Sequence, residues 1–224
     1  MGFQFFKKRT IWLPTWPVIL VSILIIVISI SFILFSSHNF LAVTDKVPNA
    51  KILVVESWMA DNSMEQVAEI FNAEDNNYES LWLIGPRLER GYYISEEYKT
   101  YSQMSAATLT ILGVPQEKIH LAPASKPLRH RTFSAAVNLK NELKQIGLSS
   151  ESFDLVTLNV HARRSWITVK KVFEKKDQIG IIALPPVTYD AQKWMKSSAG
   201  VKSTIFESIA CLYELLADSG REKN

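Results

Sequence analysis

The chain holds one cysteine, Cys211, in 224 residues. An intramolecular disulfide and a cysteine-based zinc site are thereby excluded. Cys211 stands in a late helical pattern beside Ile209 and Leu212, which assigns it to packing rather than catalysis. No G-x-G-x-x-G follows the first apolar run and no P-loop occurs, so ordinary dinucleotide and Walker-type nucleotide sites are disfavoured. There is no G-x-S-x-G elbow; Ser57 stands in E-S-W, a poor setting for a hydrolase serine. There is no H-E-x-x-H, and the four histidines, at 38, 120, 130 and 161, lack metal-ligand spacing. The sequence therefore assigns no metal site and names no cofactor. It has no internal repeat and no low-complexity segment.

Acidic residues are missing ahead of the first long apolar run, whereas Lys7, Lys8 and Arg9 are present there. These three account for the whole excess of 25 basic over 22 acidic residues. The remainder is formally neutral, so no global nucleic-acid-binding surface is indicated. Apolar content of 47% suits a globular core.

What is present begins with a membrane segment. Residues 17–35, PVILVSILIIVISISFILF, carry no charge. Nineteen helical residues reach ~28 Å, close to the ~30 Å hydrocarbon core of a bilayer. Trp12 and Trp16 sit where an interfacial aromatic belt would lie, and the basic tail favours a cytoplasmic N-terminus. The run is longer than the ~7–15 residues of a signal-peptide core, and SSHNFLAV has no small-x-small cleavage pair. An uncleaved anchor is expected. The expected organisation is a cytoplasmic basic tail over 1–16, a transmembrane helix over 17–36, a linker over 37–50, one α/β domain over 51–217 and a polar tail over 218–224. In a bacterial inner membrane this puts the domain in the periplasm or outside the cell.

Beyond the linker, apolar strand patterns alternate with helical ones. Strands are expected at 51–55, 80–85, 118–122, 153–158 and 179–184. Helices are expected from Asp61 or Ser63, over 95–112, from Thr132 to Ile146, over 161–174 and from Val201 to Leu216. The strands are apolar on both faces, so the expected fold is Rossmann-like and doubly wound, with a mainly parallel sheet of about five strands. In such sheets ligands bind beyond the carboxyl ends of the strands. Those ends are Glu56–Ser57–Trp58, Gly85–Pro86–Arg87, Pro123–Ala124–Ser125 and Asn159–Val160–His161.

Most informative is NVHARRSW, residues 159–166, which leaves a buried strand and opens a helix. Backbone N–H groups there, joined by Arg163 and Arg164, suit a phosphate or carboxylate. The alternative is that these arginines are solvated or pair with Glu or Asp across a loop. Lys126, Arg129, His130 and Arg131 form a second basic group, and Arg87 and Arg90 a weaker third. Glu56 is the one carboxylate directly at a strand end. It can orient His161, act as a base, hold a divalent cation or pair with Arg163 or Arg164. His120, inside an apolar strand, reads as structural.

KILVVESW, GVP at 113–115, RHRTFSAA at 129–136 and VTLNVHARR at 156–164 occur in this order along residues 50–216. In this the chain resembles the ElyC/SanA/YdcF family of α/β domains. Thr132, Thr157, His161 and Arg164 match that family's pattern position by position. It departs where the family often has glycines, here Glu56, Ser57 and Trp58, and where it has an S-E pair, here Thr100 and Tyr101. The family's N-T-x-E-N is replaced by Arg131 to Ala135. The resemblance implies a role in the bacterial envelope, in peptidoglycan, surface-polysaccharide or lipid-carrier metabolism. Residues and resemblance together assign His161 and Glu56 as catalytic groups. Arg163, Arg164, Thr132, Arg131, Thr157, Asn159 and Ser57 are assigned as ligand-binding groups. The expected ligand is a polyprenyl-phosphate or sugar-phosphate intermediate, with no nucleic-acid partner. Two alternatives stand beside it. One is a non-enzymatic module for envelope assembly or export, using aromatics such as Tyr92, Tyr93 and Tyr98. The other, by family analogy, is a nucleotide or S-adenosylmethionine binder.

Overall fold

A computed structural model describes residues 11–88, 93, 96–124, 130–174 and 178–217. Residues up to Ser36 form one compact unit and Ser37 onward a second. Helix α1, Trp16–Leu41, is long and apolar enough to cross a membrane, and none of its most apolar stretch is buried by protein.

The second unit is a five-stranded, all-parallel sheet in the order β3-β2-β1-β4-β5. Its strands are β1 (Ile52–Glu56), β2 (Ser80–Gly85), β3 (Ile119–Pro123), β4 (Phe153–Leu158) and β5 (Ile179–Leu184). The period-two alternation of side chains divides the core. Ile52 and Val54 face one side, with α4 (Arg131–Gln145) and α5 (Ala162–Phe173), while Leu53 and Val55 face the other, with α2 (Asp61–Asn72) and α3 (Tyr101–Ile111). This is the doubly wound α/β arrangement expected from the sequence. The chain runs outward from β1 to β3 and then returns to start β4 beside β1. The topological switch point therefore lies between β1 and β4, where ligands bind in open parallel sheets. The last helix, α6, runs Ser198–Ala217 and packs on α5 and on the 3-10 turn Asn159–His161.

Two segments differ from expectation. The helix expected over 95–112 starts only at Tyr101. Thr100 caps it, accepting from the Gln103 N–H at 3.2 Å, while the Gln103 side chain returns to the Thr100 N–H at 3.0 Å. This T-x-x-Q capping box stops the helix from extending backward. Residues 37–50, expected as a linker, belong to the globular unit. Leu41 and Ala50 are buried, and Asp45 exchanges backbone hydrogen bonds with Ile181 at 2.8 and 2.9 Å.

Asp154 fastens that segment from within the sheet. Its carboxylate accepts from the Val47 N–H at 2.8 Å and from the Tyr78 hydroxyl at 2.7 Å. Burial pushes the Asp154 carboxyl above its ordinary value, against the pull of these two donors. Gly180 permits the close approach. A Cβ there would lie 1.9 Å from Asp154 Oδ1 and 2.7 Å from the Val47 nitrogen. Gly180→Ala should therefore lower unfolding stability by about 1–3 kcal/mol, through overpacking against a fixed carboxylate. Urea titration of the full chain in detergent micelles measures this, and an unchanged midpoint would contradict the packing described.

Candidate functional site

A cavity of about 660 Å³ opens at the carboxyl ends of the strands. Its floor is Glu56, the last residue of β1, and His161, which follows β4; these two ends meet because β1 and β4 are neighbours. Glu56 is 3% exposed. It accepts hydrogen bonds from the Thr157 hydroxyl, from Ser165 Oγ at 3.1 Å and from Trp58 Nε1 at 3.2 Å. The carboxylate is thus held rigidly by three neutral donors. His161 Nε2 stands 3.5 Å from Glu56 Oε2, and the Trp58 ring meets the imidazole edge-on at 5.2 Å.

The other face of His161 meets a residue that the sequence reading did not single out. Glu207, from α6, places Oε1 2.9 Å from His161 Nδ1. Arg164 Nε donates to Glu207 Oε2 at 2.8 Å and Nη2 donates to Oε1 at 3.1 Å, a two-pronged contact. The same Nη2 lies 2.9 Å from His161 Nδ1. One ring nitrogen cannot serve both neighbours in one protonation state. A protonated Nδ1 donates to Glu207, whereas a bare Nδ1 accepts from Arg164. Moving one proton therefore changes which partner holds the ring.

The electrostatics follow from this packing. Burial alone would raise the Glu207 carboxyl, but hydrogen bonds from His161 and Arg164, and their charges, hold it down at about 2. Burial disfavours the Arg164 charge; Glu207 outweighs it, and the net direction is upward. Farther along α6, Glu214 is buried and its Oε1 accepts from Lys171 Nζ at 3.3 Å.

The opposite wall is the first turn of α4, with His130, Arg131, Thr132 and Phe133. His130 enters this helix in the left-handed region, φ 52°, and its own side chain makes no capping hydrogen bond. Backbone N–H groups at such a turn suit an anion. Lys126 and Arg129 of the same basic group, with Arg90 and Tyr92, lie outside the described residues.

Of the expected site residues, Glu56, His161, Arg164, Arg131 and Thr132 share this cavity. The others serve elsewhere. Arg163 donates from Nε to the Phe40 carbonyl at 2.8 Å and lies over the Phe40 ring at 4.3 Å. Consecutive helical residues differ by ~100° in direction, so Arg163 and Arg164 do not form one clamp; His161, Arg164 and Thr168 share the cavity side instead. Arg164 follows the alternative reading, in which an arginine pairs with a carboxylate. Ser57 is buried, donating to the Ile84 carbonyl at 2.8 Å beside Ser102. Thr157 serves Glu56 rather than a ligand. Asn159 is buried at φ 43°, and its Oδ1 has no hydrogen-bond partner among the described residues. His120 stacks on Trp82 at 4.7 Å, within the sheet.

The signal that could have revealed Glu207 is its spacing from Glu214. Seven residues apart, the two carboxylates occupy one side of the helix, and they are its two acidic residues. No family model, no curated protein and no solved structure matches the chain.

A carboxyl held at about 2 in the folded state, against 4.5 ordinarily, stabilises the fold above about pH 4.5. That stabilisation, on the order of 3 kcal/mol, is lost as pH falls through the folded value. Glu207→Gln should lower stability at pH 7 and flatten the acid limb between pH 4.5 and 2. Thermal melts of both proteins across that range decide it; parallel pH profiles would contradict the assignment.

Proposed function

We propose that the protein is a single-pass envelope protein of bacteria whose crevice binds a phosphorylated ligand, a polyprenyl-phosphate or sugar-phosphate intermediate of cell-wall or polysaccharide metabolism. One observation carries this reading. One cavity is lined both by the first turn of α4, bearing Arg131 and Thr132, and by an imidazole set between two carboxylates. The first wall suits the phosphate, and the second supplies a proton donor or acceptor close by. The envelope setting rests on the apolar α1, the basic residues ahead of it and the family resemblance. In this reading the N-terminus is cytoplasmic and the α/β domain extracytoplasmic.

Within the crevice, Arg131 and the α4 amides bind the phosphate, and Thr132 adds a hydroxyl. His161 exchanges a proton with the ligand's ester oxygen or with water at Nε2, the nitrogen beside Glu56, while Glu207 holds a protonated Nδ1 and Arg164 a bare one. Glu56 orients the ring and balances its positive charge. A non-enzymatic accessory role is favoured by a different observation: Arg164 is engaged by Glu207, and Arg163 is turned to Phe40. Normal function in cells with both His161 and Glu56 replaced would support that role over an enzyme.

Arg131→Ala should weaken binding of polyprenyl phosphate or of sugar phosphates by about tenfold or more, a loss of ~1.4 kcal/mol. Arg163→Ala, on the Phe40 side, should leave binding unchanged. Arg164→Ala is a poorer probe, because it strands the Glu207 carboxylate. Equilibrium titration of the full chain in detergent micelles tests both variants. Equal affinities for Arg131→Ala and the native protein, across this ligand class, would refute the phosphate wall.

A further inference from the structure

Helix α6 is amphipathic in the inverted sense. At ~100° per residue, Ile205, Ile209, Leu212 and Leu216 fall within about 60° of one another, with Phe206 and Tyr213 beside them. On a globular domain this stripe would ordinarily face the core. Here all six side chains are exposed, from 43% at Ile205 to 78% at Leu216. The side facing the domain carries Glu207, Cys211 and Glu214 instead. A contiguous exposed apolar face of this kind marks an interaction surface.

The chain indicates what covers it. Leu41, the last residue of α1, is buried in the globular unit against Val160 and Cys211, the latter from α6 itself. The uncharged apolar run ends at Phe35, six residues earlier. Even fully extended, six residues span only ~20 Å. Leu41, packed on Cys211 of α6, is therefore tethered to the end of that run by no more than this length of chain. The exposed stripe has no acidic residue, and the exposed Lys196 and Lys202 stand at its N-terminal end. Apolar side chains bordered by lysines, with aromatics at the edge, have the chemistry of a helix lying in a membrane interface.

We propose that the outward face of α6 lies in the headgroup–acyl boundary of the bilayer spanned by α1. Tyr213 also lines the crevice, so this docking holds the crevice mouth at the membrane surface, within reach of a lipid-linked ligand. The proposal rests on the membrane anchoring described above and not on the identity of the ligand.

The test uses the full chain in liposomes containing anionic lipid. A polarity-sensitive fluorophore is attached at Ile209→Cys or Leu216→Cys, each made in a Cys211→Ala background, with Ile26→Cys in α1 as a third site. Both α6 labels should be quenched at least twofold by lipids carrying a nitroxide near the headgroup, and little by aqueous iodide. Strong iodide quenching at 209 and 216, with Ile26 still quenched by lipids carrying a nitroxide near the acyl-chain end, would overturn α6 docking and leave the anchor standing. Loss of lipid quenching at all three sites would overturn both. Protection from both quenchers, with cross-linking between copies through position 209 or 216, would overturn the proposal in favour of a second copy of the chain. Binding of phosphorylated ligands, measured on the same variants, reports on the crevice separately.

Discussion

Glu207 meets Arg164 at 2.8 Å, and the orientation of the last helix follows from that contact. An arginine and a carboxylate withdrawn from water need one another, because either left alone would bear a large desolvation cost. Seven residues later Glu214 meets Lys171 and repeats the requirement one heptad along. Two such pairs on one side of α6 turn that side toward α5. The apolar stripe must then face outward, against the usual preference of an amphipathic helix. Exposing it to water would be unfavourable by ~25 cal/mol for each Å². The arrangement becomes consistent when a hydrophobic phase covers that face.

The same contact completes the crevice. Parallel strands and the switch between β1 and β4 bring Glu56 and His161 together, and they would do so without α6. What α6 adds is a second carboxylate on the far side of the imidazole. His161 then lies between Glu56 at 3.5 Å and Glu207 at 2.9 Å, with Arg164 competing for the same nitrogen. The position of one proton selects which of the two is the hydrogen-bond partner of Nδ1. Neutral donors from β4 and α5 hold Glu56 in place, so the carboxylate at the floor of the crevice has a fixed position.

Much of this was legible in the sequence. Apolar runs of five or six residues, alternating with helical periodicity, located all five strands and the doubly wound sheet. The strand-end rule led to Glu56 and His161, the basic group after the third strand held Arg131, and Thr132 came from the family resemblance. Local spacing was a weaker guide to direction. Arg163 and Arg164 are adjacent in sequence, yet one helical step sends the first to Phe40 and the second to Glu207. Ser57 sits at a strand end, but a carbonyl of the neighbouring strand takes its hydroxyl. Glu207 was the least legible, 46 residues beyond His161 in a helix recognised by its apolar positions. Periodicity shows that a helix has two faces; it does not say which is turned inward when buried carboxylates compete with the apolar stripe.

The account depends most on the coupling between α5 and α6, and a double-mutant cycle measures it. Arg164→Gln, Glu207→Gln and the combined variant are unfolded at pH 7 beside the native chain. If the pair orients α6, each single change leaves a partly buried charge without its partner, and the double variant recovers part of the loss. The predicted coupling is about 2 kcal/mol or more. Additive losses, agreeing within ~0.5 kcal/mol, would contradict the account, because Glu207 and Arg164 would then not determine how α6 sits on the domain.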